Sequence, residues 1–161
     1  MRDGAVRILG IDPGLNITGY SAVDVRGQAT AVVEAGTVRT DDKAGLPERI
    51  AHIHADLSEL IGELRPDWVA VENLYAHYKH PRTAILMAHA RGIALLAARQ
   101  AGIGVRNLAA TEVKKSLTGN GHASKRQIQH AVQSVCGLSE PPEPPDVADA
   151  LAIALCAARR I

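Results

Sequence analysis

At 161 residues the chain has the size of one domain, taken here as residues 1–161, with length enough to bury a sizeable core. Nearly half of it is apolar, yet it holds no Phe, one Trp and three Tyr, so that core must be aliphatic and alanine-rich; no apolar run approaches the roughly 18 residues of a bilayer span, so no membrane-spanning helix is expected. The formal net charge of +1 hides an asymmetry: residues 73–130 carry nine Lys and Arg against Glu112 alone, roughly +8, leaving about −7 for the remainder, which suits the footprint of a polyanion partner, with a merely solvated basic face as the competing reading.

The start, Met1-Arg2-Asp3, lacks the pattern of a signal peptide, and a cytoplasmic protein is expected. Ile8-Leu9-Gly10-Ile11 predicts a short buried strand, and Pro13-Gly14 with Gly19 brackets a tight turn into a second. Asp12 then stands at a strand end, where a rigid element presents its carboxylate; a solvated turn aspartate before proline is the competing reading. The turn by itself is ambiguous, because sugar kinases and actin-like ATPases open with a similar one. Residues 17–25 and 28–38 flank Arg26-Gly27 as a hairpin, giving three antiparallel strands.

Apolar positions spaced three and four apart from Leu46 to Leu64 mark an amphipathic helix, stopped by Pro66. Trp68-Val69-Ala70-Val71 reads as a buried parallel strand ending at Glu72. Beside the first strand it would bring Asp12 and Glu72 out at one edge, where close carboxylates are held by a shared proton or a cation. Pro81 leads into a long helix, 82–101, whose Ala84, Ala88, Ala90, Gly92 and Ala94 would let another helix approach closely, so it is a candidate interface as well as a core element.

Residues 105–108 suit a fifth strand. Thr111, Lys114 and Lys115 open a short helix, Gly119-Asn120-Gly121 breaks the chain, and Ser124 caps a further helix running to about Val135. After the proline-rich spacer 140–145, the last helix begins with Asp146 and Asp149 on one face of its first turn. Capping alone would explain Asp146, but Asp149 falls beyond the cap among apolar residues, and the pair points to a cation. Cys136 and Cys156 lie far apart and the seven His are scattered, so neither a zinc site nor a disulfide framework is indicated.

Two acids from strand ends and two from a helix start make an oxygen-only set suited to magnesium or manganese. Two such ions about 4 Å apart can drive an in-line phosphodiester displacement, so the residues read as a metal-dependent nuclease. A related nuclease trimming RNA or RNA/DNA hybrids is not excluded by the acids alone, whereas the presence of all four speaks against a binding-only protein.

The order three strands, helix, strand, helix, strand, helices resembles the ribonuclease H-like α/β fold, a mixed five-stranded sheet flanked by helices. Residues 8–19 and 69–72, Ala90-Arg91-Gly92, Val113-Lys114-Lys115, Gly119-x-Gly121-x-Ala123-x-Lys125-x-Gln127 and Asp146-x-x-Asp149-Ala150-Leu151-Ala152-Ile153 together resemble the RuvC family of Holliday-junction resolvases, over nearly the full length. The resemblance implies catalytic, metal-holding roles for Asp12, Glu72, Asp146 and Asp149, with two Mg2+ (or Mn2+) ions per site. It implies DNA contacts from Lys114, Lys125 and the neighbouring Lys115 and Arg126, and a base-stacking aromatic at Tyr75, where the family usually has Phe, with Tyr78 as the alternative. The partners it implies are Holliday-junction DNA, a second copy in a homodimer, and the RuvA and RuvB branch-migration complex. His89 departs from the Gln or Glu common at its position.

Overall fold

The computed structural model describes residues 2–75 and 80–160. Its spine is a five-stranded sheet in the order β3-β2-β1-β4-β5. β1 (Val6–Asp12), β2 (Ile17–Arg26) and β3 (Ala29–Arg39) form an antiparallel meander, while β4 (Trp68–Glu72) and β5 (Gly104–Leu108) continue the sheet parallel to β1. Parallel neighbours need crossovers. These are α1 (Leu46–Leu64), between β3 and β4, and α2 (Pro81–Gln100), between β4 and β5. The chain closes with α3 (Ala110–Thr118), α4 (Lys125–Cys136) and α5 (Pro145–Ala158).

Strand alternation splits the core into two layers. Leu9, Ile11, Val69 and Val71 face α1 and α2, where Ile53, Leu57 and Ile61 meet Ala90, Ala94, Ala97 and Ala98. Ile8, Val23, Ala70 and Leu108 face the other way, against α5 and the apolar sides of α3 and α4. Every residue from 150 to 158 is buried, so α5 is a core helix whose only carboxylates lie in its first turns. At the opposite end of the sheet, Arg7 donates to both oxygens of the buried Asp24, at 2.6 and 2.9 Å, and to the Leu64 carbonyl at 2.9 Å. Those hydrogen bonds hold the Asp24 carboxyl down at about 2 and tie β1, β2 and α1 together.

Two local expectations, both about helix caps, change. The cap of α5 is Pro144, in extended conformation, and Asp146 is the second residue of the helix, so capping does not account for it. The cap of α3 is Ala109, whose N–H is accepted by the Glu112 side chain at 2.9 Å, and Thr111 is already inside the helix. The small residues of α2 divide between two faces: Ala90 and Ala94 are buried in the core, whereas Ala88 and Gly92 are exposed beside Ile85 and Leu96. Ser124 does cap α4, accepting from the Gln127 N–H while the Gln127 side chain accepts from its own N–H. Cys136 is half-buried and Cys156 buried, both as free thiols. No helix among the described residues is long and apolar enough to cross a membrane.

Candidate active site

Asp12 and Glu72 are the last residues of two neighbouring parallel strands, each one step beyond the paired Ile11 and Val71. Parity decides their direction. Ile8 and Ala70 face α5, and with the two-residue period Asp12 and Glu72 turn to that same side. There the first turns of α5 bring Asp146 and Asp149.

Two glycines allow that approach. Gly10 lies under α5, where a Cβ would meet the Ala150 carbonyl oxygen and come within 2.7 Å of the Ala154 nitrogen. Gly19 pairs with Asp12 across β1 and β2, and a Cβ there would strike the carbonyl oxygen of Asp146 and lie 2.7 Å from its carbonyl carbon. With hydrogen in place of a side chain at both positions, the helix start rests on β2 beside Asp12 and the following turns rest on β1. The sequence shows Gly19 only as a turn residue; its true partner lies 127 positions away and has no local signal.

The electrostatics follow from that convergence. Asp12 is pushed up to about 8, first by burial and then by the charges of Asp149, Glu72 and Asp146. Burial and Asp149 raise Glu72, and burial raises Asp149, with Asp146 adding to it. Two cations work against this: Lys125, from the start of α4, lowers Asp12 and Asp149, and Lys114, from α3, lowers Glu72 and Asp149. Lys115 and Arg126 are exposed and absent from these interactions. Lys115 lines a shallow cleft with Gly119, Asn120, Gly121 and His122, and Arg126 donates to His130 at 3.4 Å. Tyr75 is 62% exposed, three residues past Glu72, and Tyr78 lies outside the described residues.

The donor set is all carboxylate oxygen, the chemistry of a hard divalent cation, and it is crowded with like charge that such a cation would relieve. Among the described residues no three His, Cys, Asp or Glu side chains stand close enough together to hold a metal ion as they are placed, so the four acids share one end of the sheet without closing into a cage. The residues fit a divalent metal. Sequence reasoning gave no role to Arg91, Asn73 or Asn107, which surround the Glu72 end of β4. Arg91 falls within the segment Ala90-Arg91-Gly92, but nothing in the sequence indicates what it touches.

A family model described as crossover junction endodeoxyribonuclease RuvC matches residues 8–157. The crossover junction endodeoxyribonuclease RuvC of Rhodopirellula baltica is 51% identical over 149 residues, which cover 92% of this chain and 84% of that protein. A Thermus thermophilus RuvC structure superposes with a TM-score of 0.87 at 35% identity, covering 96% of this chain and 95% of that one. The T. thermophilus RuvC in complex with Holliday junction substrate gives 0.88 at 36% identity, with 95% and 93% covered.

Proposed function

The chain belongs to the RuvC family of crossover junction endodeoxyribonucleases, and on that premise we propose that it resolves four-way (Holliday) DNA junctions by paired, symmetric nicks during recombination and repair. Membership implies dependence on a divalent metal. The observation that carries the reading at residue level is the convergence of four carboxyls from β1, β4 and α5, with Asp12 raised to about 8 by burial and then by its neighbours.

In this reading Asp12, Glu72, Asp146 and Asp149 hold the metal. When bound there, magnesium, or manganese in its place, at two ions per site, supplies Lewis acidity at the scissile phosphate and a more acidic water. The four side chains come from secondary-structure ends and not from a mobile loop, which fixes their directions before substrate arrives. Lys114 and Lys125 face the same acids, and their ammonium groups take phosphate oxygens of the strand to be cut, offsetting the repulsion between an acidic site and a polyanion. Lys115 and Arg126, pointing outward, hold the flanking backbone. Tyr75 stacks on a base that has lost its partner at the exchange point. A homodimer brings two such sites to two strands, with the RuvA and RuvB complex supplying branch migration.

The test is incubation of a mobile four-way junction with and without chelator, mapping nicks on all four strands, beside an RNA/DNA hybrid and a structured RNA. Symmetric, chelator-sensitive nicks in the junction are expected. Preferential cutting of the hybrid or the RNA would move the protein to a different substrate class, and junction binding without nicking would make it a binding protein.

A further inference from the structure

Arg91 lies mid-way along α2, on the turn facing the end of β4. Its Nε donates to the Glu72 carbonyl at 3.1 Å, and one terminal nitrogen donates to the Asn107 side-chain oxygen on β5 while reaching that of Asn73 at a long 3.5 Å. Arg91 is half-buried, and with Asp12, Pro13, Glu72, Asn73 and Met87 it lines a narrow cleft at the strand ends. The cations that lower the site carboxyls are Lys114 and Lys125, whereas the named acceptors of Arg91 are neutral oxygens.

Glu72 is where β4 gives out: past it, the Asn73 N–H donating to the Leu108 carbonyl at 2.7 Å closes the ladder to β5. A strand end frays unless its backbone is tied, and a frayed end would leave the Glu72 carboxyl free to swing. The guanidinium ties it on both sides, to α2 through its own helix and to β5 through Asn107. We propose that Arg91 is a positioning residue, whose planar donor set fixes the Glu72 backbone so that its carboxyl is held toward Asp12 for metal binding. The proposal rests on the reading of Glu72 as a metal ligand. A lysine, a single point donor on a flexible stem, cannot span the Glu72 carbonyl and the Asn107 amide together.

Three variants of the full chain test this: Arg91→Lys, Arg91→Ala and Asn107→Ala. Mn2+ affinity is read by electron paramagnetic resonance without DNA, junction affinity in chelator, and thermal midpoint in chelator. Arg91→Lys and Arg91→Ala should each weaken Mn2+ binding about tenfold or more, the usual effect of losing a group that orients a ligand, while junction affinity stays within about twofold. Asn107→Ala, which keeps the Nε bond, should fall between these variants and the unsubstituted chain. If Arg91→Ala does not fold, Arg91→Lys and Asn107→Ala still decide the matter. Undiminished Mn2+ affinity in Arg91→Lys overturns the proposal, whether the thermal midpoint falls, which would make Arg91 a packing residue, or junction affinity falls, which would make it a DNA contact. Failure of the unsubstituted protein to nick a junction would instead overturn the proposed function, and the metal affinities would still judge Arg91.

Discussion

Asp12 has to lose a proton to hold a cation, because burial and three neighbouring carboxyls keep it protonated up to about pH 8. Below that pH metal and proton compete, so apparent Mg2+ affinity should rise by up to about tenfold per unit from pH 6 to 8 and level off above. Affinity that does not change over this range, measured by calorimetry, would show that Asp12 is already ionised. The metal-free protein moves the other way. A carboxyl whose folded pKa is raised binds more protons folded than unfolded, so stability in chelator should fall as pH rises from about 4 to about 8, and Asp12→Asn should flatten that slope and raise the thermal midpoint at pH 8. The same variant should lose nicking by more than about 100-fold, beyond what a merely supporting residue costs, while still binding the junction. At Tyr75 the ring and the hydroxyl can be separated. Stacking is worth about 1 to 3 kcal/mol per base; losing more than about 1.4 kcal/mol of it in Tyr75→Ala should lower junction cleavage at least tenfold, and Tyr75→Phe should be nearly silent. Equal damage in both would assign the function to the hydroxyl.

At the level of elements, α5 is placed by what β1 and β2 lack. Gly19→Ala sets a Cβ against the backbone of Asp146, which cannot rotate away as a side chain could. Overpacking of this kind costs about 1–3 kcal/mol, and here it would also lift the helix start that carries two acids off β2, where Gly19 pairs with Asp12. Weakened Mn2+ binding together with a lower thermal midpoint is the expected result; a lower midpoint with intact metal affinity would show that α5 shifts as a body without opening the site. On the other side of the acids, α3 and α4 each contribute one lysine. Replacing Lys114 or Lys125 by Ala should reduce the salt dependence of junction binding by about one unit each and slow cleavage, as expected for one phosphate contact apiece. An unchanged slope with unchanged cleavage would make them surface lysines.

For the whole molecule, two nicks placed symmetrically require two sites related by a two-fold axis, and one chain provides one acid cluster. A homodimer is therefore predicted, and α2 offers the surface for it: Ile85 and Leu96, 59% and 45% exposed, lie with Ala88 and Gly92 on its outer face, away from the core-facing Ala90 and Ala94. Ile85→Glu should turn a species of twice the chain mass into one of single mass in sedimentation, and should turn paired nicks into independent ones. A monomer with and without DNA that still makes paired nicks would place the symmetry elsewhere.

Local pattern was enough to determine the elements. The short apolar runs of 8–11 and 68–71 and the three-and-four spacing of 46–64 are properties of neighbouring residues, and the strands and helices fall where those patterns put them. The positions of Asp12 and Glu72 at strand ends and of Asp146 and Asp149 in the first turns of the last helix were legible for the same reason. What the sequence could not contain is which ends meet. That Asp12 and Glu72 turn to one side depends on a parallel register between strands 60 residues apart, and their closeness to α5 depends on the empty volume at Gly10 and Gly19. The split of α2 into a buried and an exposed face, and the reach of Arg91 to the Glu72 carbonyl and to Asn107, were likewise decided by tertiary packing. Local sequence sets the conformation of a segment, but contacts between distant segments are fixed only when the layers close around a shared core.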